Sequence, residues 1–203
     1  RVITPWPTVY HWDLQHALED QGGWRVRETA FAFERYARIV VEHFHSRIKN
    51  WFTLNEILVF TGHGYRQGKH APGARESRQV VNQCIHHALL AHGLGVGAVR
   101  ELGGGSAKVG IVHATLPTVP WKEERAEIEA AARMYHLRNQ QWMRPVHDGT
   151  YDAGWLDSIG DDAPKVEEGD MALISVPTDF VGVNHYSADY VKVGNGGEPE
   201  IIP

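Results

Sequence analysis

Trp51-Phe52-Thr53-Leu54-Asn55-Glu56 is an aromatic and β-branched run that ends on an amide and a carboxyl. That composition reads as a strand over 51–55 with two polar groups at its exit. On its N-terminal side, Phe33, Ala37, Val40 and Phe44 recur at helical spacing, which predicts an amphipathic helix from about Arg25 to Ser46. Before that helix, Thr8 to Leu14 reads as a short strand. On the C-terminal side, a loop holding Gly62, Gly64, Gly68, Pro72 and Gly73 leads to Ser77, a suitable N-cap. The helix it opens runs to about Glu101, with Val81, Ile85, Ala88, His92 and Val99 along one side, and Gly103-Gly104-Gly105-Ser106 stops it. Lys108 to Thr115 reads as a third strand. Glu123 to about Arg144 reads as a third helix, with Ile128, Ala131, Tyr135 and Trp142 turned inward. Phe180 to Tyr186 reads as a fourth strand after the breaker Pro177.

Strand–helix alternation of this kind builds a parallel sheet with crossover helices. A (β/α)8 TIM barrel and an open doubly wound sheet both satisfy it. Chemistry separates them, because the polar residues Asp13, Asn55, Glu56 and Asn184 to Tyr186 sit where strands end. A barrel collects its site on that one face. A complete barrel takes about 250 residues, and only four strands are legible here. The expected fold is therefore α/β, a partial (β/α)8 barrel, with residues 1–203 forming a single incomplete domain. The chain opens at Arg1 and closes on Glu198 to Pro203 without a finishing helix, so both ends read as cut.

Bulk composition narrows the function classes. With 25 acidic against 20 basic residues the net charge is -5, whereas nucleic-acid binding needs clustered Lys and Arg. No stretch approaches the roughly 18 apolar residues of a membrane span. The single cysteine, Cys84, excludes an internal disulfide framework and suits a reducing, cytoplasmic compartment. Nothing in the sequence speaks to oligomeric state.

Several motifs are set aside. The 13 histidines form no H-E-x-x-H pair and no Cys–His cluster, so neither a metal nor a cofactor is expected. His43 and His45 diverge on their helix, as do His86 and His87, and His92 reads as a hydrogen-bonded core histidine. Gly93 to Ala98 fits G-x-G-x-x-A, but a dinucleotide site needs that pattern directly after a strand, not inside a helix. Ser158, Ser175 and Ser187 lack a G-x-S-x-G elbow, which leaves a serine hydrolase without support.

Two clusters carry chemistry. A carboxyl at a strand exit suits acid-catalysed bond cleavage when burial or a second negative charge keeps such an acid protonated near neutral pH. The adjacent Asn55 offers a donor and an acceptor, which matches a sugar hydroxyl beside the breaking bond. A bond to the 2-OH that tightens in the transition state is worth on the order of several kcal/mol. The plainer reading is a pair that caps the next helix. In Tyr10-His11-Trp12-Asp13-Leu14, a Trp face can pack on the C–H side of a pyranose while His bonds a ring hydroxyl. Its plainer reading is a core aromatic strand ending on a capping Asp.

These segments, taken together, resemble glycoside hydrolase family 1. Tyr10-His11-Trp12-Asp13-Leu14 with Glu19-Asp20 and Gly22-Gly23-Trp24 is similar to the family's YHWDLP…LED…GGW, and Trp51 to Glu56 resembles its W-x-T-x-N-E-P segment. His63-Gly64-Tyr65, Gly68 and His70-Ala71-Pro72-Gly73 resemble the loop that follows. His87 to Gly93 resembles H-x-L-L-A-H-(G/A), and Asp179 to Tyr186 resembles DF(I/V)GxN(H/Y)Y. The matches come in the family's order and span almost the whole chain. The resemblance implies a (β/α)8 fold, of which these would be the third to sixth strands, and retaining hydrolysis of β-linked glycosides. It implies Glu56 as general acid/base and Asn55 as the partner of the 2-OH. His11, Trp12 and Asn184 fall among the sugar-binding residues, and Tyr186 falls at the tyrosine that supports the nucleophile.

The departures are specific. Ile57 and Gln15 stand where the family has proline, which implies altered loop geometry, and Val112-His113-Ala114 lacks an asparagine that many members carry. No (T/S)-E-N-G motif, which holds the family's nucleophile, occurs in these 203 residues. Asp13 sits on a neighbouring strand end but is structural in the family, and Glu19 and Asp20 read as solvated. The expectation is a β-glucosidase-like hydrolase to which this chain supplies the acid/base but not the nucleophile. The alternative is a catalytically inactive carbohydrate-binding pseudoenzyme or truncated gene product. Sugar and aglycone preference are not legible.

Overall fold

The computed structural model describes residues 3–202; Arg1, Val2 and Pro203, which belong to the ends read as cut, lie outside the described residues. The chain begins with β1 (Thr8–Tyr10), a single turn α1 (His16–Glu19) and the long helix α2 (Glu28–Phe44). Then come β2 (Asn50–Asn55), α3 (Ile57–Thr61) and the buried helix α4 (Arg78–Leu102). After α4 lie β3 (Lys108–Ala114), β4 (Thr118–Pro120) and α5 (Arg125–His147). Two short helices, α6 (Ala153–Ile159) and α7 (Asp170–Ile174), precede β5 (Phe180–Asn184), β6 (Asp189–Val193) and β7 (Pro199–Ile201).

The main sheet has the order β1-β2-β3-β5, and every pair in it is parallel. Each crossover carries a helix, as parallel pairing requires. Helices cover one face. Along β2, Thr53 turns to that face and its hydroxyl meets Nδ1 of His92 on α4 at 2.7 Å. On the opposite face the rings of Trp6, Phe52 and Phe180 form a cluster with centroids 4.9–6.0 Å apart. Gly110, level with Phe52 and Phe180 in the ladders, leaves room for it; a Cβ there would lie 2.3 Å from the Phe180 carbonyl oxygen.

Core and caps follow the sequence pattern closely for the long helices. Ser77 caps α4 by accepting the Val80 amide, and Val81, Ile85, Ala88, His92 and Val99 are all buried. The glycines of the G-x-G-x-x-A stretch serve packing. A Cβ on Gly93 would lie 1.9 Å from the Leu173 carbonyl oxygen of α7, and one on Gly95 would meet Phe33 of α2 and Thr53 of β2.

Four expectations need correction. β1 ends at Tyr10 rather than Leu14, because Trp12 takes a left-handed backbone (φ 78°) that no strand continues through. The fourth strand ends at Asn184, two residues short of Tyr186. The loop over 62–73 is helical at its start, where Gly62–Arg66 prolongs α3 as a π-turn. Ile128 is 50% exposed; α5 instead presents Ala130 and Ala131 to a second, smaller sheet. That sheet, β4-β6-β7, pairs β4 with β6 in parallel and β6 with β7 antiparallel.

Candidate active site

Asn55 and Glu56 leave the C-terminal end of β2, where the ladder to β3 shifts register between Phe52 and Asn55. Such a bulge re-aims side chains at a strand end. Glu56 itself is left-handed (φ 51°, ψ 66°), uncommon for a residue with a Cβ. Its amide donates to the Val112 carbonyl of β3 at 2.8 Å, and its carbonyl accepts the Val59 amide at 2.9 Å to open α3. Ile57, the first residue of α3, buries its side chain in the core.

The carboxyl does not point away from the neighbouring strand ends. Asn184, at the end of β5, donates from Nδ2 to Glu56 Oε1 at 2.7 Å and to Asn55 Oδ1 at 3.2 Å. His11, just past β1, brings Nε2 to 3.4 Å from Asn55 Nδ2. Trp12 donates from Nε1 to the Asn55 carbonyl at 2.9 Å. Three strands thus deliver His11, Trp12, Asn55, Glu56 and Asn184 to one end of the sheet. Glu56 is only 3% exposed and Asn55 is equally buried, while His11 is exposed. A carboxyl held at one oxygen by an amide donor, next to a second amide, can exchange a proton at its other oxygen and bind a hydroxyl beside it.

Tyr186 does not join this cluster: it is 82% exposed beyond the end of β5. Asp13 is exposed, and among the described residues no hydrogen bond links it to Glu56. Glu19 is not solvated. Its carboxylate accepts Arg25 Nη1 and the Tyr65 hydroxyl, both at 2.5 Å, while Arg25 Nε reaches Glu76 at 2.6 Å, so Glu19 anchors the turn below Trp24. The sequence reading missed His70, whose ring lies 5.6 Å from Trp12 and 4.8 Å from His63. It also missed Val112, which acts through a main-chain oxygen and leaves no side-chain signal.

Behind the sheet lie buried polar groups. His92, paired with Thr53, and His113, 3.1 Å from His147, have pKa values pushed down to about 3, chiefly by burial and further by the neighbouring His147. His86 bonds Tyr151 and Asp170, and Arg27 grips the same Asp170 with two nitrogens. Burial raises the Asp170 carboxyl, but the bonds from Arg27, His86 and the Glu167 amide outweigh it and hold it well below the usual range. Among the described residues no group of three or more His, Cys, Asp or Glu is arranged to hold a metal ion.

The model of glycosyl hydrolase family 1 matches residues 1–201. The chain belongs to this family. It is 38% identical over 191 residues to β-glucosidase A of Thermotoga maritima, covering 94% of this chain and 42% of that relative. Among solved structures of the family, the psychrophilic β-glucosidase BglU of Micrococcus antarcticus superposes with a TM-score of 0.85 at 40% identity, over 95% of this chain and 41% of its own. The virulence factor SghA in complex with its substrate analog salicin gives a TM-score of 0.88 at 32% identity, over 99% of this chain and 45% of its own. The chain spans less than half the length of the family members it matches. Its parallel strands and crossover helices correspond to part of the family's TIM barrel, which decides between the barrel and the open sheet.

Proposed function

We propose that this chain is the central half of the catalytic domain of a retaining β-glycosidase, β-glucosidase-like, in which residues 1–203 form one incomplete barrel domain. The observation that carries the reading is the 2.7 Å bond between Asn184 and Glu56, which joins two strand ends around one carboxyl. Glu56 protonates the departing glycosidic oxygen through Oε2, since Asn184 occupies Oε1. It then takes a proton from the water that releases the sugar. Asn55 bonds the 2-OH, and His11, Trp12 and Asn184 line the sugar position. The nucleophile is a second carboxylate about 5–5.5 Å away, supplied from outside this chain, and exposed Tyr186 stands ready to support it. The substrate is a β-linked glycoside or oligosaccharide. A single buried Cys84 fits a cytoplasmic location.

The test is Glu56→Gln in the full-length protein. Cleavage of a disaccharide falls by about 10²–10⁴-fold, while the first step on an activated aryl glycoside, which needs little protonation, keeps most of its rate. Full activity on the disaccharide removes Glu56 from the role. Ile57 and Gln15, standing where the family has proline, support a second reading, a catalytically inactive carbohydrate binder. Glucoside binding by the full-length wild type without any turnover decides for it.

A further inference from the structure

Trp12 and Glu56 are the two non-glycine residues with positive φ among the described residues, at 78° and 51°. One hydrogen bond joins them. Trp12 Nε1 donates to the carbonyl of Asn55 at 2.9 Å, and that carbonyl belongs to the peptide whose N–H is Glu56's own. The same N–H donates to Val112 O at 2.8 Å. The Asn55–Glu56 peptide plane is therefore held at both ends, by the segment after β1 on one side and by β3 on the other. That plane carries the N and Cα of Glu56, so holding it fixes the base from which the Glu56 side chain springs.

Indole has one polar hydrogen, and here it is spent on the main chain, leaving none for a sugar hydroxyl. The ring faces lean on neighbours, tilted against His70 at 5.6 Å and His11 at 5.2 Å. Strained backbone persists only where its surroundings over-determine it, and the indole bond is one of the restraints that do so at Glu56. Resting on the glycosidase reading above, we propose that Trp12 is a positioning residue for the acid/base: it orients Glu56 through the Asn55–Glu56 peptide. A displacement of about 1 Å at a reacting group costs on the order of 10²-fold in rate.

The experiment compares wild type and Trp12→Phe in the full-length protein on a disaccharide, on an activated aryl β-glucoside, and with a competitive glucose-like inhibitor. Loss of the indole N–H lowers kcat on the disaccharide by about 10–100-fold, several-fold more than it slows the first step on the aryl glucoside or raises the inhibition constant. Equal losses on both substrates, an inhibition constant that rises in step with the rate loss, or an unaltered variant each overturn the role. Wild type that turns over neither substrate overturns the glycosidase reading together with this one, a result distinct from an active wild type with an unaltered variant. Where Trp12→Phe fails to fold, benzothienylalanine at position 12 keeps the bicyclic shape, replaces only the N–H by sulfur, and is read against the same outcomes.

Discussion

At the scale of single residues, Asn184 is the only side chain that bridges β5 to both Asn55 and Glu56 among the described residues. Asn184→Ala in the full-length protein removes both bonds and frees the carboxyl to rotate. The expected loss in kcat/KM is about 10²-fold, against roughly 1 kcal/mol in urea unfolding for the lost hydrogen bonds at a strand end. Gly110 behaves in the opposite way. Gly110→Ala pushes a methyl into the Phe180 carbonyl and ring, costing about 1–3 kcal/mol by overpacking, read as a lower urea midpoint. Asn55, Glu56 and Asn184 were singled out in the sequence as polar groups at strand ends, but helix capping was the plainer reading of Asn55 and Glu56, and only the family resemblance gave the three a joint role. Glu19 was misread for a physical reason: its partners Arg25, Tyr65 and the fold around Trp24 converge only in three dimensions.

At the scale of elements, the layer between α4 and β3 carries the polar groups most exposed to a change in pH, His92 on α4 and His113 on β3. His92 and His113 face Thr53, His147 and each other, with Asp148 beyond His147. Their folded pKa values of about 3 lie below the ordinary 6.5, so the unfolded chain binds more protons between those limits. Stability is then full above about pH 6.5 and falls as pH drops toward 3, at up to about 1.4 kcal/mol per pH unit for each histidine. Urea unfolding at pH 7, 5 and 4 reads the slope, and His92→Gln removes the share of it that His92 contributes. Asp170, depressed below its usual 3.8 by Arg27 and His86 against the effect of burial, loses its contribution only as pH falls below that value. The two windows are therefore separable. Helices α2, α4 and α5 and strands β1, β2 and β3 were legible because each buries one face or both, and β5 was legible from its apolar residues although it lies half-exposed at the sheet edge. The smaller sheet was not, since β4 and β7 are three residues long and each contains a proline.

At the scale of the whole molecule, β1 and β5 each have one strand neighbour among the described residues, which leaves their outer edges open there. Beside β1 lies a groove of about 490 Å³ lined in part by Tyr10, Leu14, Leu18, Phe33 and Tyr36. Phe180, Gly182 and Asn184 turn to the inner face, so Val181 and Val183, 43% and 57% exposed, point to the layer that helices cover over the other strands. The isolated 203-residue polypeptide is expected to self-associate through these surfaces and to show no turnover of an aryl β-glucoside. Light scattering after size exclusion and a direct assay check both; a monodisperse, active monomer contradicts them. The pairing of β4 with β6 has a further consequence. Thr118–Pro120 follows β3 and Asp189–Val193 follows β5, so one ladder ties together the segments that leave two neighbouring strand ends. Within the paired residues neither segment can slip alone: a one-residue shift in Thr118–Pro120 turns its side chains to the other face unless residues 189–191 of β6 shift with it.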